Sequence, residues 1–232
     1  MTRPEVEDAG LSHGQTLALF EDDDAAQLPS QMALAPGAVL LRRAALPMQE
    51  AILTGLREVL AAAPPRHLET PGGLHMSVAM TNCGPLGWVS DRRGYRYAAT
   101  DPVSGKSWPA MPEGFRALAR HAADMACFTH FEPDACLVNI YEPGARLTLH
   151  QDKDERDYAH PIVSVSLGLP AVFLFGGPTR KERPAKVPLS HGDVVVWGGP
   201  ARLRYHGVEA VKHGVHPLLG ERRVNLTFRR AA

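Results

Sequence analysis

The part of the chain that follows Pro133 most constrains the fold. It consists of short extended runs separated by turns rich in glycine and proline. Many short strands at this spacing are typical of a β-sandwich, barrel or jelly roll. The predicted strands cover residues 136–141, 146–150, 162–169, 171–175, 186–189, 194–197 and 224–229. We therefore expect a jelly-roll core over residues 134–232.

Two helical patterns precede this core. Residues 48–62 follow Pro47, which suits a first helical turn, and their apolar residues recur at helical spacing. A second pattern begins at Pro112 and runs to about residue 127. We expect an N-terminal α+β layer over residues 36–133 that covers one mouth of the jelly roll. The predicted fold class is therefore α+β, mainly β.

Residues 1–35 differ in charge from the rest of the chain. They contain seven acidic residues and one base, and they lack sustained periodicity. This composition predicts an acidic, loosely held arm. The remainder keeps 24 of the 25 bases and 18 of the 25 acids. That excess is compatible with a polyanionic partner, although an ordinary solvated surface explains it equally well.

The sequence also indicates where the protein works. No apolar run approaches the ~18 residues of a membrane span, and the first residues lack the pattern of a secretion signal. Cys83, Cys127 and Cys136 are widely spaced and form no CxxC motif, so we expect reduced thiols rather than a disulfide framework. These features predict a cytoplasmic protein that does not interact with membranes.

His150 and Asp152 are the strongest candidates for a metal site. They lie two apart at the end of a predicted strand, so their side chains point the same way. A second histidine would complete the two-histidine, one-carboxylate set that leaves positions on Fe(II) open for oxygen chemistry. His206 is the candidate. It lies several predicted strands beyond Asp152 in the sequence, and a jelly roll brings strands that are far apart in the sequence side by side. A zinc or manganese site of the cupin type would use similar ligands, so these residues alone do not select iron.

Two other arrangements compete with this assignment. His191, Gly192 and Asp193 repeat the spacing, but they precede a buried apolar run. We interpret them as a turn in which Asp193 accepts backbone hydrogen bonds. His213 and His216 are alternatives for the second histidine, yet both lie in a loop that contains glycine and proline.

The last predicted strand alternates strictly between polar and apolar residues. Its polar face carries Arg223, Asn225, Thr227 and Arg229. A half-exposed strand would explain the pattern, but so would a polar pocket that binds a dicarboxylate, because arginine pairs with carboxylates in a bidentate manner. With Cα atoms ~20 Å apart, two arginine side chains leave ~6–8 Å between their guanidinium groups. That gap matches a five-carbon diacid such as 2-oxoglutarate, and Asn139 and Tyr141 lie at the same parity of an earlier strand.

Together these motifs resemble the AlkB family of Fe(II)- and 2-oxoglutarate-dependent dealkylating dioxygenases, and its bacterial members in particular. The resemblance covers about residues 36–230. It is carried by Asn139, Tyr141, His150, Asp152, Asp154, Glu155, His206, Arg223, Asn225, Thr227 and Arg229, together with segments 70–73 and 76–84. It implies a double-stranded β-helix, that is a jelly roll, with an N-terminal nucleotide-recognition lid and supporting helices.

The resemblance also implies roles for particular residues. Fe(II) would be held by His150, Asp152 and His206. The co-substrate 2-oxoglutarate would be held by Asn139, Tyr141, Arg223, Asn225 and Arg229. Among these, Arg223 would take the distal carboxylate and Arg229 would lie nearer the metal-chelating end. The second co-substrate, O2, would bind at the metal.

Residues 88–97 interleave aromatic residues with arginines. They read either as a surface hairpin with packed rings or as a lid that stacks a base and meets phosphates, and the resemblance favours the lid. The implied substrate contacts are Trp88, Tyr95, Tyr97, Asp154, Arg180, Thr70 and Met80. Asp154 lies two residues beyond Asp152, so its carboxylate would favour cationic bases beside the metal.

The implied activity is oxidative demethylation of 1-methyladenine and 3-methylcytosine in DNA, with RNA left open as a second substrate. The reaction would convert 2-oxoglutarate to succinate and CO2 and release formaldehyde. A damaged base that cannot pair costs less to flip out of the stack, and single-stranded DNA is the expected partner of a monomeric enzyme. Two alternatives remain: a 2-oxoglutarate-dependent hydroxylase of a protein or small molecule, and a non-catalytic metal-binding jelly roll.

Overall fold

The computed structural model of the protein describes residues 30–232, which form two α-helices and fourteen strands. The helices are α1 (Gln49–Ala62) and α2 (Glu113–Met125). The strands are β1 (Gln31–Ala35), β2 (Ala38–Leu41), β3 (Arg66–Glu69), β4 (His75–Cys83), β5 (Gly87–Asp91), β6 (Gly94–Ala98), β7 (Ala135–Tyr141), β8 (Leu147–His150), β9 (Ile162–Gly168), β10 (Ala171–Phe175), β11 (Ala185–Leu189), β12 (Val194–Trp197), β13 (His206–Val208) and β14 (Arg223–Arg229). None of these helices is long and apolar enough to cross a membrane.

Two antiparallel sheets build the core. The larger sheet has eight strands in the order β1-β2-β12-β9-β14-β7-β4-β3, and the smaller has four in the order β11-β10-β13-β8. Side chains of both sheets meet in one apolar cluster, in which Phe173 and Phe175 of the smaller sheet contact Trp197 of the larger. This arrangement confirms the predicted mainly-β, jelly-roll fold.

The helices cover the outer face of the larger sheet. The apolar face of β14 points toward them. The rings of Phe228 on β14 and Phe115 on α2 pack edge to face, with their centroids 6.0 Å apart. α1 and α2 approach each other closely at Gly55, where a Cβ atom would lie 2.7 Å from Pro112. The polar residues of β14 therefore face the inside of the jelly roll. This agrees with the interpretation as a polar pocket and not with a half-exposed strand.

The N-terminal strands extend the same large sheet. β2 pairs with β12, and β4 pairs with β7. Residues 31–35 were expected to belong to the acidic arm, but they form β1 and pair with β2 because their backbone groups complete the sheet edge. The first 29 residues of the predicted arm lie outside the described residues. The division of the chain at residues 35 and 133 stays a prediction.

The strand β13 was not expected from the sequence. It has only three residues and contains Gly207, which weakens any strand pattern. The glycine is required because a Cβ atom there would lie 2.7 Å from the backbone oxygen of Leu147 on β8. This close approach brings β13 against β8 and so sets the position of His206.

Candidate active site

Strands β8 and β13 bring the three predicted metal ligands together. His150 and His206 are directly opposite one another in the register of the two strands, and Asp152 follows β8. One ligand atom from each residue lies within 4.8 Å of the others. The Nε2 atoms of His150 and His206 are 3.7 Å and 3.8 Å from the two carboxylate oxygens of Asp152. Within residues 30–232 this is the one group of acids, cysteines and histidines with metal-site geometry.

Both imidazoles are oriented by the backbone. Nδ1 of His150 is 2.8 Å from the carbonyl oxygen of Thr148, and Nδ1 of His206 is 3.1 Å from that of Arg204. A proton on each Nδ1 leaves the lone pair on each Nε2 directed at the shared point, which is how metal-binding histidines are commonly held. Burial, together with the neighbouring His150, lowers the pKa of His206 to about 4. The donor set therefore fits a divalent metal.

The side chain of Asp152 is 10% exposed and is held as a carboxylate. Its Oδ2 accepts hydrogen bonds from Nε and Nη2 of Arg229 at 2.9 Å and 2.6 Å. Burial opposes ionisation, but the charge of Arg229, with the two histidines, keeps the pKa of Asp152 well below its usual range. The backbone oxygen of Asp152 accepts a further bond from Arg202 at 2.7 Å.

A polar stripe crosses the inner face of the larger sheet next to this group. β14 lies between β7 and β9, and Arg223 faces Tyr141 while Asn225 faces Asn139 in the register. The side chains of the two asparagines are hydrogen-bonded at 3.1 Å. These four predicted co-substrate residues thus form one continuous patch, and Arg229 lies at the other end of the same strand face.

Within the polar stripe, Arg223 has the largest number of buried nitrogen atoms without a hydrogen-bond partner among the described residues. Its side chain is fully buried, and Nη2 donates to Oγ of Ser166 at 3.1 Å while the guanidinium lies 4.6 Å from the centre of the Tyr141 ring. Its Nε and Nη1 have no hydrogen-bond partner among the described residues. Burial lowers its pKa. Because a buried, incompletely bonded guanidinium is costly, the site fits the carboxylate of a bound dianion.

The hairpin β5–β6 lies against the segment that follows Asp152. The rings of Trp88 and Tyr95 are stacked, with centroids 5.5 Å apart. Nε1 of Trp88 donates to the carboxylate of Asp154 at 2.7 Å, and the hydroxyl of Tyr97 donates to that of Glu155 at 2.7 Å. Burial, opposed by Arg229, raises the pKa of Tyr97, so its hydroxyl stays protonated. The hairpin is therefore placed over the predicted metal site.

Three other predicted substrate residues, Thr70, Met80 and Arg180, have local contacts that do not link them to the metal site. Thr70 lies in the turn after β3, where its hydroxyl accepts the backbone N–H of Leu74. Met80 is buried on β4 beside Asn139 of β7, so it packs inside the fold. Arg180 is exposed in the loop between β10 and β11. Contacts of these residues with a substrate stay predictions.

The competing HxD motif is part of a turn, as expected. The Asp193 carboxylate is buried and accepts bonds from Arg42 Nη1 and from the backbone N–H groups of Arg43 and Ser190. The His191 ring lies between the N–H of Gly168 and the side chain of Gln49. With their bonding capacity used in this way, neither residue is available to a metal.

Several residues at the site received no role from the sequence. Glu155, named there only as part of the motif, is buried and contacts two arginines, Arg202 and Arg229. Ser164 and Ser166 of β9 bond to Asn225 and Arg223. The two serines had a readable signal, because they alternate with valines as the polar residues of β14 alternate with apolar ones.

The comparisons with known proteins agree with this geometry. Residues 37–229 match the model of the 2OG-Fe(II) oxygenase superfamily. The alpha-ketoglutarate-dependent dioxygenase AlkB of Salmonella typhimurium is 55% identical over 93% of this chain and 98% of that protein. A tRNA demethylase of Schizosaccharomyces pombe, abh1, is 30% identical over 54% of this chain and 42% of its own length. The solved structure of OsALKBH1 superposes with a TM-score of 0.72 at 30% identity, covering 86% of this chain and 99% of that one.

A jelly roll whose inner face presents two histidines, one carboxylate and a buried arginine defines an Fe(II)- and 2-oxoglutarate-dependent dioxygenase, and Fe(II), 2-oxoglutarate and O2 are its cofactor and co-substrates. Within that class, the identity to the Salmonella protein over nearly its whole length shows that the chain belongs to the AlkB family.

Proposed function

We propose that the protein repairs alkylated nucleic acid by oxidative demethylation of 1-methyladenine and 3-methylcytosine. The observation that carries this proposal is the position of the lid: Trp88 donates to Asp154 two residues beyond the metal-site carboxylate of Asp152. An aromatic platform and an exposed carboxylate therefore stand together beside the metal site. This is the combination that a flat, cationic base requires.

In this proposal Fe(II) is held by the Nε2 atoms of His150 and His206 and by the Asp152 carboxylate. The short bonds between Arg229 and Asp152 Oδ2 leave the other oxygen, Oδ1, directed toward His150. Arg229 thus orients the ligand carboxylate while its own charge lies near the chelating end of the co-substrate.

The co-substrate is held by the polar stripe. Arg223 pairs with the distal carboxylate of 2-oxoglutarate through the N–H groups that have no hydrogen-bond partner within residues 30–232. Asn139, Tyr141 and Asn225 line the path from there to the metal. When bound, Fe(II), 2-oxoglutarate and O2 supply the oxidising equivalent that hydroxylates the N-methyl carbon, with succinate, CO2 and formaldehyde as products.

The substrate base lies between the lid and the metal. Trp88 and Tyr95 offer stacked rings, and base–aromatic stacking contributes ~1–3 kcal/mol per base. N1-methylated adenine and N3-methylated cytosine are cationic at neutral pH, so the Asp154 carboxylate favours them over undamaged bases by charge and by accepting a bond from the exocyclic amine. Tyr97 and Thr70 border the base in this proposal, and Met80 and Arg180 are further substrate contacts that the family resemblance implies.

Single-stranded DNA is the proposed preferred substrate, and RNA is a second one. The base must leave its stack to reach the metal, and flipping costs least where no partner strand is present. The relationship to a tRNA demethylase supports the inclusion of RNA. We also propose that the enzyme acts as a monomer in the cytoplasm.

The test is mass spectrometry of a panel of DNA and RNA oligonucleotides that carry 1-methyladenine or 3-methylcytosine. Incubation with enzyme, Fe(II) and 2-oxoglutarate should lower the mass of the methylated strands by about 14 mass units, which is the mass of one methylene group. Unmethylated strands should keep their mass. His150→Ala and Asp152→Ala should abolish the change. Retention of full activity in both variants would refute the assignment of the metal site.

Two alternatives give different outcomes in the same experiment. A hydroxylase of proteins or small molecules would leave every oligonucleotide unchanged while still consuming 2-oxoglutarate with its own substrate. A non-catalytic binding module would consume none, and calorimetry with Mn(II) in place of iron would then detect no 2-oxoglutarate binding.

A further inference from the structure

Glu155 is a buried carboxylate that joins three side chains from different parts of the fold. Its side chain is 2% exposed. Oε1 accepts the hydroxyl of Tyr97 at 2.7 Å and lies 3.4 Å from Nε of Arg229, and Oε2 lies 3.0 Å from Nη2 of Arg202. Lid strand β6 and two buried arginines therefore meet at one residue.

Both arginines also hold Asp152. Arg229 donates two bonds to the carboxylate, and Arg202 donates to the backbone oxygen at 2.7 Å. One arginine thus fixes the ligand side chain and the other fixes its backbone. Because Glu155 contacts both, it acts on the position of Asp152 without touching it.

The charges of this group balance. Asp152 and Glu155 are negative, Arg202 and Arg229 are positive, and the side chains of all four are at most 10% exposed. Loss of the Glu155 charge would leave an excess positive charge beside a site for a divalent cation, in surroundings where Coulomb interactions are strong. Metal binding should weaken for that reason, in addition to any loss of geometry.

The lid is attached to the same residue. Trp88 and Tyr97 are direct neighbours across the hairpin. The bond from Tyr97 to Glu155 therefore also restrains the position of the Trp88 ring beside the metal site. The bond from Trp88 to Asp154 is exposed, whereas the bond from Tyr97 to Glu155 is partly buried. The partly buried bond is therefore the stronger of the two constraints on the lid.

We propose that Glu155 is a positioning residue that orients the metal-ligating Asp152 through Arg202 and Arg229, and that positions the substrate lid above it through Tyr97. The inference rests on the proposed function for what the lid binds, but its metal half depends only on the site. A single carboxylate then sets both the affinity for the metal and the fit of the base over it.

The two halves are separated by two variants. Glu155→Gln keeps the shape and an acceptor for Tyr97 but removes the charge, so the Mn(II) dissociation constant, measured by calorimetry on metal-free protein, should rise about 10- to 100-fold. Tyr97→Phe removes only the hydroxyl, so the Mn(II) constant should stay within about twofold of the wild-type value while KM for a 3-methylcytosine oligonucleotide rises roughly 3- to 10-fold.

A double variant tests whether Tyr97 acts through Glu155. A bond to a neutral amide is weaker than one to a carboxylate. The effect of Tyr97→Phe on KM should therefore be smaller in the Glu155→Gln background than in the wild type. Equal effects in both backgrounds would contradict the lid half of the proposal.

The matched control is Asp157→Asn, which changes an exposed acid whose carboxylate accepts only the N–H of Ala159 among the described residues. It should change neither constant. If Glu155→Gln does not fold, Arg202→Lys replaces it. Arg202 contacts Glu155 and also donates to the backbone oxygens of Asp152 and His160. Lysine keeps the charge but cannot make these three contacts together, so the Mn(II) dissociation constant should again rise.

A wild-type Mn(II) constant in a folded Glu155→Gln protein, or in Arg202→Lys if that is the variant tested, would overturn the metal half. Lower melting temperatures with unchanged dissociation constant and KM would identify Glu155 as an ordinary structural ion-pair partner and overturn the whole. Absence of demethylation by the wild-type enzyme is a separate result: it would refute the proposed function and leave the Mn(II) comparison intact.

Discussion

Replacement of Arg223 by methionine should stabilise the fold and impair co-substrate binding. The guanidinium is fully buried, and two of its nitrogens have no bond among the described residues. An apolar side chain of similar length avoids the cost of burying that charge. The protein retains the arginine, in our account, because 2-oxoglutarate provides the missing carboxylate.

The size of both effects follows from the surroundings of Arg223. Replacing buried ionic groups with apolar ones often stabilises by ~1–4 kcal/mol. The contact with Tyr141, which contributes ~0.5–2 kcal/mol, and the single bond to Ser166 reduce that gain. Truncating a partner of a buried charge pair weakens binding by ~2–5 kcal/mol, so the 2-oxoglutarate dissociation constant should rise about 30-fold or more.

The assays are urea unfolding of the protein without metal or 2-oxoglutarate, and calorimetric titration of 2-oxoglutarate into the Mn(II)-loaded protein. Arg222→Met is the matched control, since Arg222 is the exposed neighbour on the chain and its backbone oxygen, which bonds to Leu169, is unchanged. Arg223→Met with a lower urea midpoint than the wild type, or with an unchanged 2-oxoglutarate constant, would refute the reasoning.

Further predictions concern four other positions. His206 has a pKa of about 4 in the folded protein against a usual 6.5, so the unfolded chain takes up the imidazole proton at a higher pH than the folded chain does. The free energy of unfolding of the metal-free protein should therefore fall as the pH is lowered from 6.5 to 4. His206→Asn should flatten this dependence in a pH series of urea titrations. Asp193→Asn should destabilise by ~3–5 kcal/mol in the same assay by leaving Arg42 without its buried partner, with Mn(II) affinity unchanged. Cys127 has a φ of 64° just after α2, so Cys127→Gly should raise the free energy of unfolding by ~0.5–1 kcal/mol. Trp88→Phe keeps a stacking ring but loses the bond to Asp154, so KM for the methylated oligonucleotide should rise less than in Trp88→Ala; equal values would show that stacking contributes nothing.

Residue parity predicted the inner face of the site. The alternation of β14 separates Arg223 and Asn225 from the apolar residues that pack on the helices, and the structure has both faces as expected. The spacing of His150 and Asp152 was readable for the same reason, since a period of two is a local property of a strand.

What the sequence could not reveal depends on contacts between distant segments. The jelly-roll expectation and the family resemblance made His206 a candidate. Its place opposite His150 depends on a three-residue strand and on the close approach at Gly207, which no local pattern shows. The pairing of Glu155 with Arg202 joins residues that no local pattern connects. Such networks form only once the strands are in register.

The central claim is that this site couples 2-oxoglutarate consumption to removal of a methyl group from a base. The most direct test measures succinate and formaldehyde together, with a single-stranded 3-methylcytosine oligonucleotide and with the same strand unmethylated. The account predicts formaldehyde in proportion to the methylated base consumed, succinate formed alongside it, and no formaldehyde from the unmethylated strand or from Asp152→Ala. Succinate formation without formaldehyde from the methylated strand would contradict it.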